Sequence, residues 1–189
     1  MISAIIFDCF GVLTNDPWKD MREEFLGEDV AKLAYAAEID QQVNTGMITF
    51  DVFVDEISRL CGISRAEVLR RFDVEKSNDE LFILITTQLK SRYKIGMLSN
   101  AAENWLSRLF SPDQLSVFDA TVLSFETGHA KPSPLAYVDI ASELGIAPEE
   151  CLYVDDRDIY VAAAVQSGMQ GVVYVDTAQI ATALKEILR

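Results

Sequence analysis

Ile2-Ser3-Ala4-Ile5-Ile6-Phe7-Asp8-Cys9-Phe10-Gly11 is the stretch whose reading decides the fold. Ile2 to Phe7 is a short, mostly apolar and β-branched run, the pattern of a strand buried on both faces. Asp8 ends it, Gly11 follows closely, and Thr14-Asn15-Asp16-Pro17 reads as a polar turn. Comparable runs return downstream. Tyr93 to Leu98 ends at Ser99-Asn100, Ala120 to Leu123 at Ser124, Leu152 to Val154 at Asp155-Asp156, and Gly171 to Val175 at Asp176. Helical spacing separates them over Ala101 to Phe110, Leu135 to Leu144, Tyr160 to Ser167 and Thr177 to Leu188. Strand and helix alternating in this way predict an α/β fold with a parallel sheet covered on both faces.

From about Trp18 to Arg92 the strand signals are weak. Asp51 to Leu60 carries apolar residues at helical spacing, Gly62 reads as its C-terminal stop, and Ser64 with Glu67 reads as a capping box for Arg65 to Phe72. This stretch is expected to be a helical insertion over 17–89. The core is then assembled from 1–16 and 90–189.

The chain has 189 residues, half of them apolar, and a formal net charge of −14. That acidity argues against binding to nucleic acid or to an anionic membrane. Cys9, Cys61 and Cys151 are scattered and odd in number, so they read as thiols of a reducing compartment rather than as a disulfide framework or zinc site. No apolar run approaches the roughly 20 residues that span a bilayer, and the N-terminus lacks a basic signal-peptide region. A cytoplasmic location is expected. Oligomeric state is not legible.

In open parallel sheets, ligands bind outside the carboxyl ends of the strands. Asp8, Ser99, Asn100, Asp155 and Asp156 all fall at such ends, and Lys131, followed by Pro132, lies on a loop after another strand. A carboxylate can serve as a nucleophile. Its attack on a small anionic substrate needs charge repulsion removed, which magnesium achieves with one or two carboxylates. Asp8 and Asp156 are the natural ligand pair, with Asp155 supporting. Ser99 and groups near Asn100 can bond the transferring oxygens, and Lys131 can neutralise developing charge.

The motifs resemble those of the haloacid dehalogenase (HAD) superfamily. Phe7-Asp8-Cys9-Phe10-Gly11-Val12-Leu13 is similar to its first motif, Leu98-Ser99-Asn100 to its second and Lys131-Pro132-Ser133-Pro134 to its third. Val154-Asp155-Asp156-Arg157 looks like its fourth, with Ser167-Gly168-Met169 downstream. The resemblance implies a doubly wound, Rossmann-like core and a C1-type helical cap that selects substrate. It makes Asp8 the nucleophile and a Mg2+ ligand, the Phe10 carbonyl another ligand, and Asp156 the carboxylate that completes the metal site. The implied activity is hydrolysis of a phosphate monoester through an aspartyl-phosphate.

One position departs from that pattern. Family phosphatases usually carry a second aspartate two residues after the nucleophile, and here it is Phe10, which can neither give nor take a proton. A positioned acid–base group contributes roughly 10²–10⁴-fold. Water, the cap, and nearby Thr14, Asn15 and Asp16 are the alternative proton sources. Dehalogenases of the family have an aromatic residue at this place, so metal-independent 2-haloacid dehalogenation is an alternative. Asp155-Asp156 and Val12 oppose it. A noncatalytic phosphate-sensing or protein-binding module is a second alternative. Phe10 can also wall the leaving-group side of the pocket. His129, the one histidine, reads as a loop residue, Cys9 as packing and Trp18 as core of the insertion.

Overall fold

The computed structural model describes residues 1–73 and 76–188; Val74 and Glu75 of the expected insertion and Arg189 of the expected core lie outside them. Five parallel strands form one sheet in the order β3-β2-β1-β4-β5. They are β1 (Ala4–Phe7), β2 (Lys94–Ser99), β3 (Ala120–Leu123), β4 (Cys151–Asp155) and β5 (Gln170–Val173). The strand β1 lies at the centre, with Ile5 beside Ile95 on one side and Leu152 on the other. All four of its residues are buried. The chain runs outward to β3, then crosses back over β1 to β4. The rim between β1 and β4 is therefore the topological switch point, where a crevice forms.

Side-chain alternation sorts the core into two layers. Ile5, Phe7, Ile95, Met97, Leu152 and Val154 face one side, against α5 (Asp79–Leu84), the π-helical turn Ile85–Leu89 and α11 (Thr177–Ile187). Ala4, Ile6, Leu98, Cys151 and Tyr153 face the other, against α9 (Pro134–Leu144) and α10 (Asp158–Gln166). Four short helical pieces complete the connections: α6 (Leu106–Leu109), α7 (Pro112–Leu115), α8 (Ser124–Thr127) and a 3₁₀ turn at Pro148–Glu150.

The insertion supplies α1 (Pro17–Leu26), α2 (Val30–Asn44), α3 (Phe50–Cys61) and α4 (Arg65–Phe72). Each begins at a side-chain cap, with Asp16, Asp29, Thr49 and Ser64 accepting backbone N–H bonds. Gly62 ends α3 in the left-handed region at φ 69°. The four helices enclose a cluster of their own, including Trp18, Met21, Ile39, Phe53, Ile57, Val68 and Phe72, and Trp105 from the segment after β2 joins it. Residues 79–89 pack differently. Leu81, Phe82, Leu84, Ile85 and Leu89 belong to the sheet's own core layer.

Two local expectations need correction. The helix expected over Ala101 to Phe110 is reduced to Leu106–Leu109; at its expected start the Ala101 carbonyl, which would accept the first helical bond, takes the Ser124 hydroxyl at 3.4 Å, and the Ala101 N–H donates to the same oxygen at 3.0 Å. The capping box at Ser64 forms only in half. Ser64 Oγ accepts the Glu67 N–H at 3.2 Å, but the Glu67 carboxylate turns forward to Arg70 and Arg71.

Candidate active site

Asp8 leaves the C-terminal end of β1 and continues its pairing, its N–H donating to the Val154 carbonyl of β4 at 2.8 Å. Its Oδ1 accepts the Cys9 N–H at 2.7 Å and the Lys131 ammonium at 2.6 Å. Lys131 Nζ also donates to Asp155 Oδ2 at 2.9 Å and stands 5.0 Å from the Tyr160 ring centre. The lysine side chain is 1 % exposed and that of Asp155 0 %, so the charges meet out of water. Burial opposes the ammonium, but Asp155 and Asp8 overcome it and raise the Lys131 pKa well above the usual lysine range. Burial and the neighbouring Asp155 push the Asp8 carboxyl up, against the pull of Lys131.

Asp155 is held on both oxygens. Its Oδ1 accepts the Arg157 N–H at 2.9 Å, and its Oδ2 takes the Tyr153 hydroxyl as well as Lys131. Asp156 turns to a different neighbourhood. Its Oδ2 receives the Lys19 ammonium at 2.8 Å, and that contact raises the Lys19 pKa. Gly11 makes room for this carboxylate. Its φ is +88°, and a Cβ there would lie 2.7–2.9 Å from the Asp156 carboxylate atoms. A side chain at position 11 would be excluded on both counts.

Asn100 faces the Lys131 backbone. Its Nδ2 donates to the Lys131 carbonyl at 3.0 Å and its Oδ1 accepts the Lys131 N–H at 2.8 Å. The amide thus clamps the loop just before the cis Lys131-Pro132 peptide. Ser99, at the end of β2, is buried and donates to the Asn100 carbonyl at a long 3.3 Å. Phe10 lies at the seam between the two units, packing against both clusters with its ring edge-on to Trp105, centroids 5.6 Å apart.

Above the rim is a cavity of about 80 Å³. Asp8, Phe10, Asn100 and Lys131 line its floor, while Asp16, the cap residue of α1, and Trp18, Arg22 and Asp40 of the insertion line its walls. Burial raises the carboxyl pKa of both Asp16 and Asp40. Thr14 and Asn15 are instead tied to Lys76, through its carbonyl and its N–H respectively. His129 lies outside this site, its Nδ1 at 2.8 Å from Asp139. Cys9 is buried in the core layer.

The rim therefore brings together Asp8, Lys131 and Asp155 directly, Asp156 beside them and Asn100 beneath the lysine. Sequence reading passes over Tyr153 and Lys19, and quotes Arg157 in the fourth motif without giving it a role. Tyr153 has a usable signal, since the residue two before Asp155 in a strand shares its face. Lys19 has none, because its reach to Asp156 depends on how α1 packs.

An α/β enzyme with an acidic rim at the switch point is the class these features define. The chain belongs to the haloacid dehalogenase-like hydrolases, whose family model matches residues 2–168. It is 29% identical over 197 residues to "Phosphatase MT3486" of Mycobacterium tuberculosis, covering 89% of this chain and 85% of that protein. Its fold is similar to that of a HAD family enzyme from Bacteroides thetaiotaomicron in complex with magnesium and inorganic phosphate. The TM-score is 0.70 at 23% identity, over 95% of this chain and 99% of that one. The fold is also similar to an L-2-haloacid dehalogenase from Xanthobacter autotrophicus, with TM-score 0.61 at 18% identity, over 98% and 83% of the two chains.

Proposed function

We propose that the protein is a magnesium-dependent phosphatase that hydrolyses a small phosphate monoester through an aspartyl-phosphate on Asp8. The observation that carries this reading is the carboxylate cluster: Asp8, Asp155 and Asp156 each offer an oxygen, all within 4.8 Å of one another. Hard oxygen donors at that spacing fit magnesium. The relative named as a phosphatase and the neighbour crystallised with magnesium and phosphate lean the same way.

Asp8 and Asp156, with the Phe10 carbonyl, would hold the ion; Asp155, bonded on both oxygens, fixes Lys131 instead. Bound there, magnesium would supply charge screening between the phosphate and the approaching carboxylate. Asp8 attacks phosphorus, the ester P–O bond breaks, and the alcohol departs. Water then attacks phosphorus, the bond to Asp8 breaks, and the carboxylate and inorganic phosphate are released. Lys131 neutralises charge at Asp8 throughout, and Asn100 positions that lysine. Ser99 becomes a donor to a phosphoryl oxygen once its hydroxyl leaves the Asn100 carbonyl.

Phe10 gives the departing alcohol no proton. Of the three nearby substitutes, Asp16 lines the cavity and has a raised pKa, which suits an acid. We assign it that part. The helices α1–α4 form the cap, and residues 79–89 go with the core. The cavity lies between these helices and the rim, so a movement of the cap would gate substrate entry.

Phe10 favours one rival, metal-independent dehalogenation of a 2-haloacid, because halide leaves without a proton. One panel separates the readings: p-nitrophenyl phosphate with magnesium or EDTA, and 2-chloropropionate with a chloride assay. Phosphate release that needs magnesium and is lost in Asp8→Asn supports the phosphatase. Chloride release insensitive to EDTA supports the dehalogenase. Silence in both supports a noncatalytic module.

A further inference from the structure

The two lysines at the rim are held very differently. Lys131 is enclosed between Asp8 and Asp155 with its side chain 1 % exposed, whereas Lys19 reaches Asp156 from the cap helix α1 with its side chain 47 % exposed. The first cannot leave without abandoning two buried carboxylates. The second is a flexible chain that can return its ammonium to water at little cost.

One side of Asp156 is already filled. Gly11 stands against its carboxylate so closely that even a methyl group would collide. A cation approaching Asp156 therefore meets the Lys19 ammonium at the same carboxylate. Three carboxylates and two ammonium groups leave the cluster one negative charge in surplus, taking all five as ionised. Adding a divalent ion with Lys19 in place would reverse that sign and set two cations against each other at the shared carboxylate.

We propose that Lys19 is the resident counter-ion of Asp156, displaced when a divalent cation binds, so that cation occupancy loosens a tie between the cap and the core. The proposal rests on the metal reading above. It goes further by naming a residue that weakens cation affinity and couples it to the cap. The helix α1 is anchored beside this contact, with Asp16 Oδ1 accepting the Lys19 N–H at 3.0 Å. Movement of the Lys19 side chain is thereby felt at the first turn of the cap.

The test is magnesium titration by calorimetry of the wild-type protein, Lys19→Met and Asp156→Asn, with no substrate present. Because Lys19 is half exposed, the methionine variant should fold, and its circular dichroism melt verifies that. The expected result is roughly three- to tenfold tighter magnesium binding in Lys19→Met than in wild type, with binding abolished in Asp156→Asn. Hydrogen exchange over residues 17–26 should quicken when magnesium is added to wild type and be fast already in Lys19→Met. Equal or weaker binding in Lys19→Met overturns the role of Lys19 while leaving the metal site standing. Binding absent from wild type and Lys19→Met alike overturns the metal reading and this inference together. Exchange unchanged by magnesium overturns the coupling to the cap.

Discussion

The ion cluster at the rim and the ion pairs of the helical insertion both set cations against carboxylates and behave as opposites. At the rim, Lys131, Asp8 and Asp155 are 1 %, 7 % and 0 % exposed. In the cap, Arg65 and Arg71 are 38 % and 25 % exposed, and their partners Asp55 and Glu24 each 51 %. Water screens the second set and each pair is nearly dispensable. The first set gave up its hydration to fold, so removing one member strands the others. The rim thus holds its charges out of water, while the four inserted helices hold together mainly by apolar packing and carry their ion pairs on the surface. Each unit can be broken in its own way.

The sharpest break is Lys131→Met. It leaves Asp8 and Asp155 buried together without a cation, and we expect a loss of about 3–5 kcal/mol in urea unfolding together with the loss of turnover. A loss below 1 kcal/mol would mean the cluster is not the buried network described. Next comes Phe53→Ala in the cap. Phe53 is 3 % exposed and packs edge-on against Trp18 at 5.6 Å, so its truncation should cost about 3 kcal/mol. If the cap is a separate packing unit, that variant should raise KM while residues 79–89 keep their hydrogen-exchange protection.

Asp16→Asn has a smaller and more selective effect. Turnover of alkyl phosphates should fall about 10²-fold, with the alkaline limb of the pH profile lost, while p-nitrophenyl phosphate, whose leaving group needs no proton, changes little. Equal losses on both substrates would assign Asp16 to capping α1 alone. The smallest effect is expected at Glu67, which Arg70 and Arg71 hold at a pKa of about 2 against an ordinary 4.5. A lowered folded-state value means that its contribution is whole above about pH 4.5 and disappears as the pH falls through 2. The melting temperatures of wild type and Glu67→Gln should therefore differ slightly at pH 7 and converge toward pH 2.

What the sequence made legible follows the same division. Asp8 and Asp155-Asp156 stand at ends of short apolar strands, and the parallel sheet carries all such ends to one rim, so their neighbourhood follows from topology; Lys131 comes from the loop beyond β3 and α8, and only its motif points to the rim. Strand positions held to within a residue or two for the same reason: the residues of β1 have no stable place except between two sheet neighbours. Contacts across the cap–core seam were not legible. Lys19 finds Asp156 only through the tilt of α1, and nothing near residue 19 announces it. The segment 101–105 departs from helical spacing where a serine 23 residues away engages both the Ala101 carbonyl and its N–H, a tertiary contact that periodicity does not show. Leu81 to Leu89 read as more insertion because helical periodicity does not reveal which surface a helix covers.

The measurement closest to the central claim is mass spectrometry of the peptide containing Asp8, after acid quench of a single turnover with a phosphate monoester and magnesium in ¹⁸O-water. The account predicts a transient phosphoryl group on Asp8, absent in Asp8→Asn, with the heavy oxygen appearing in released phosphate. Heavy oxygen in the Asp8 carboxylate, or turnover that never phosphorylates this peptide, would contradict it.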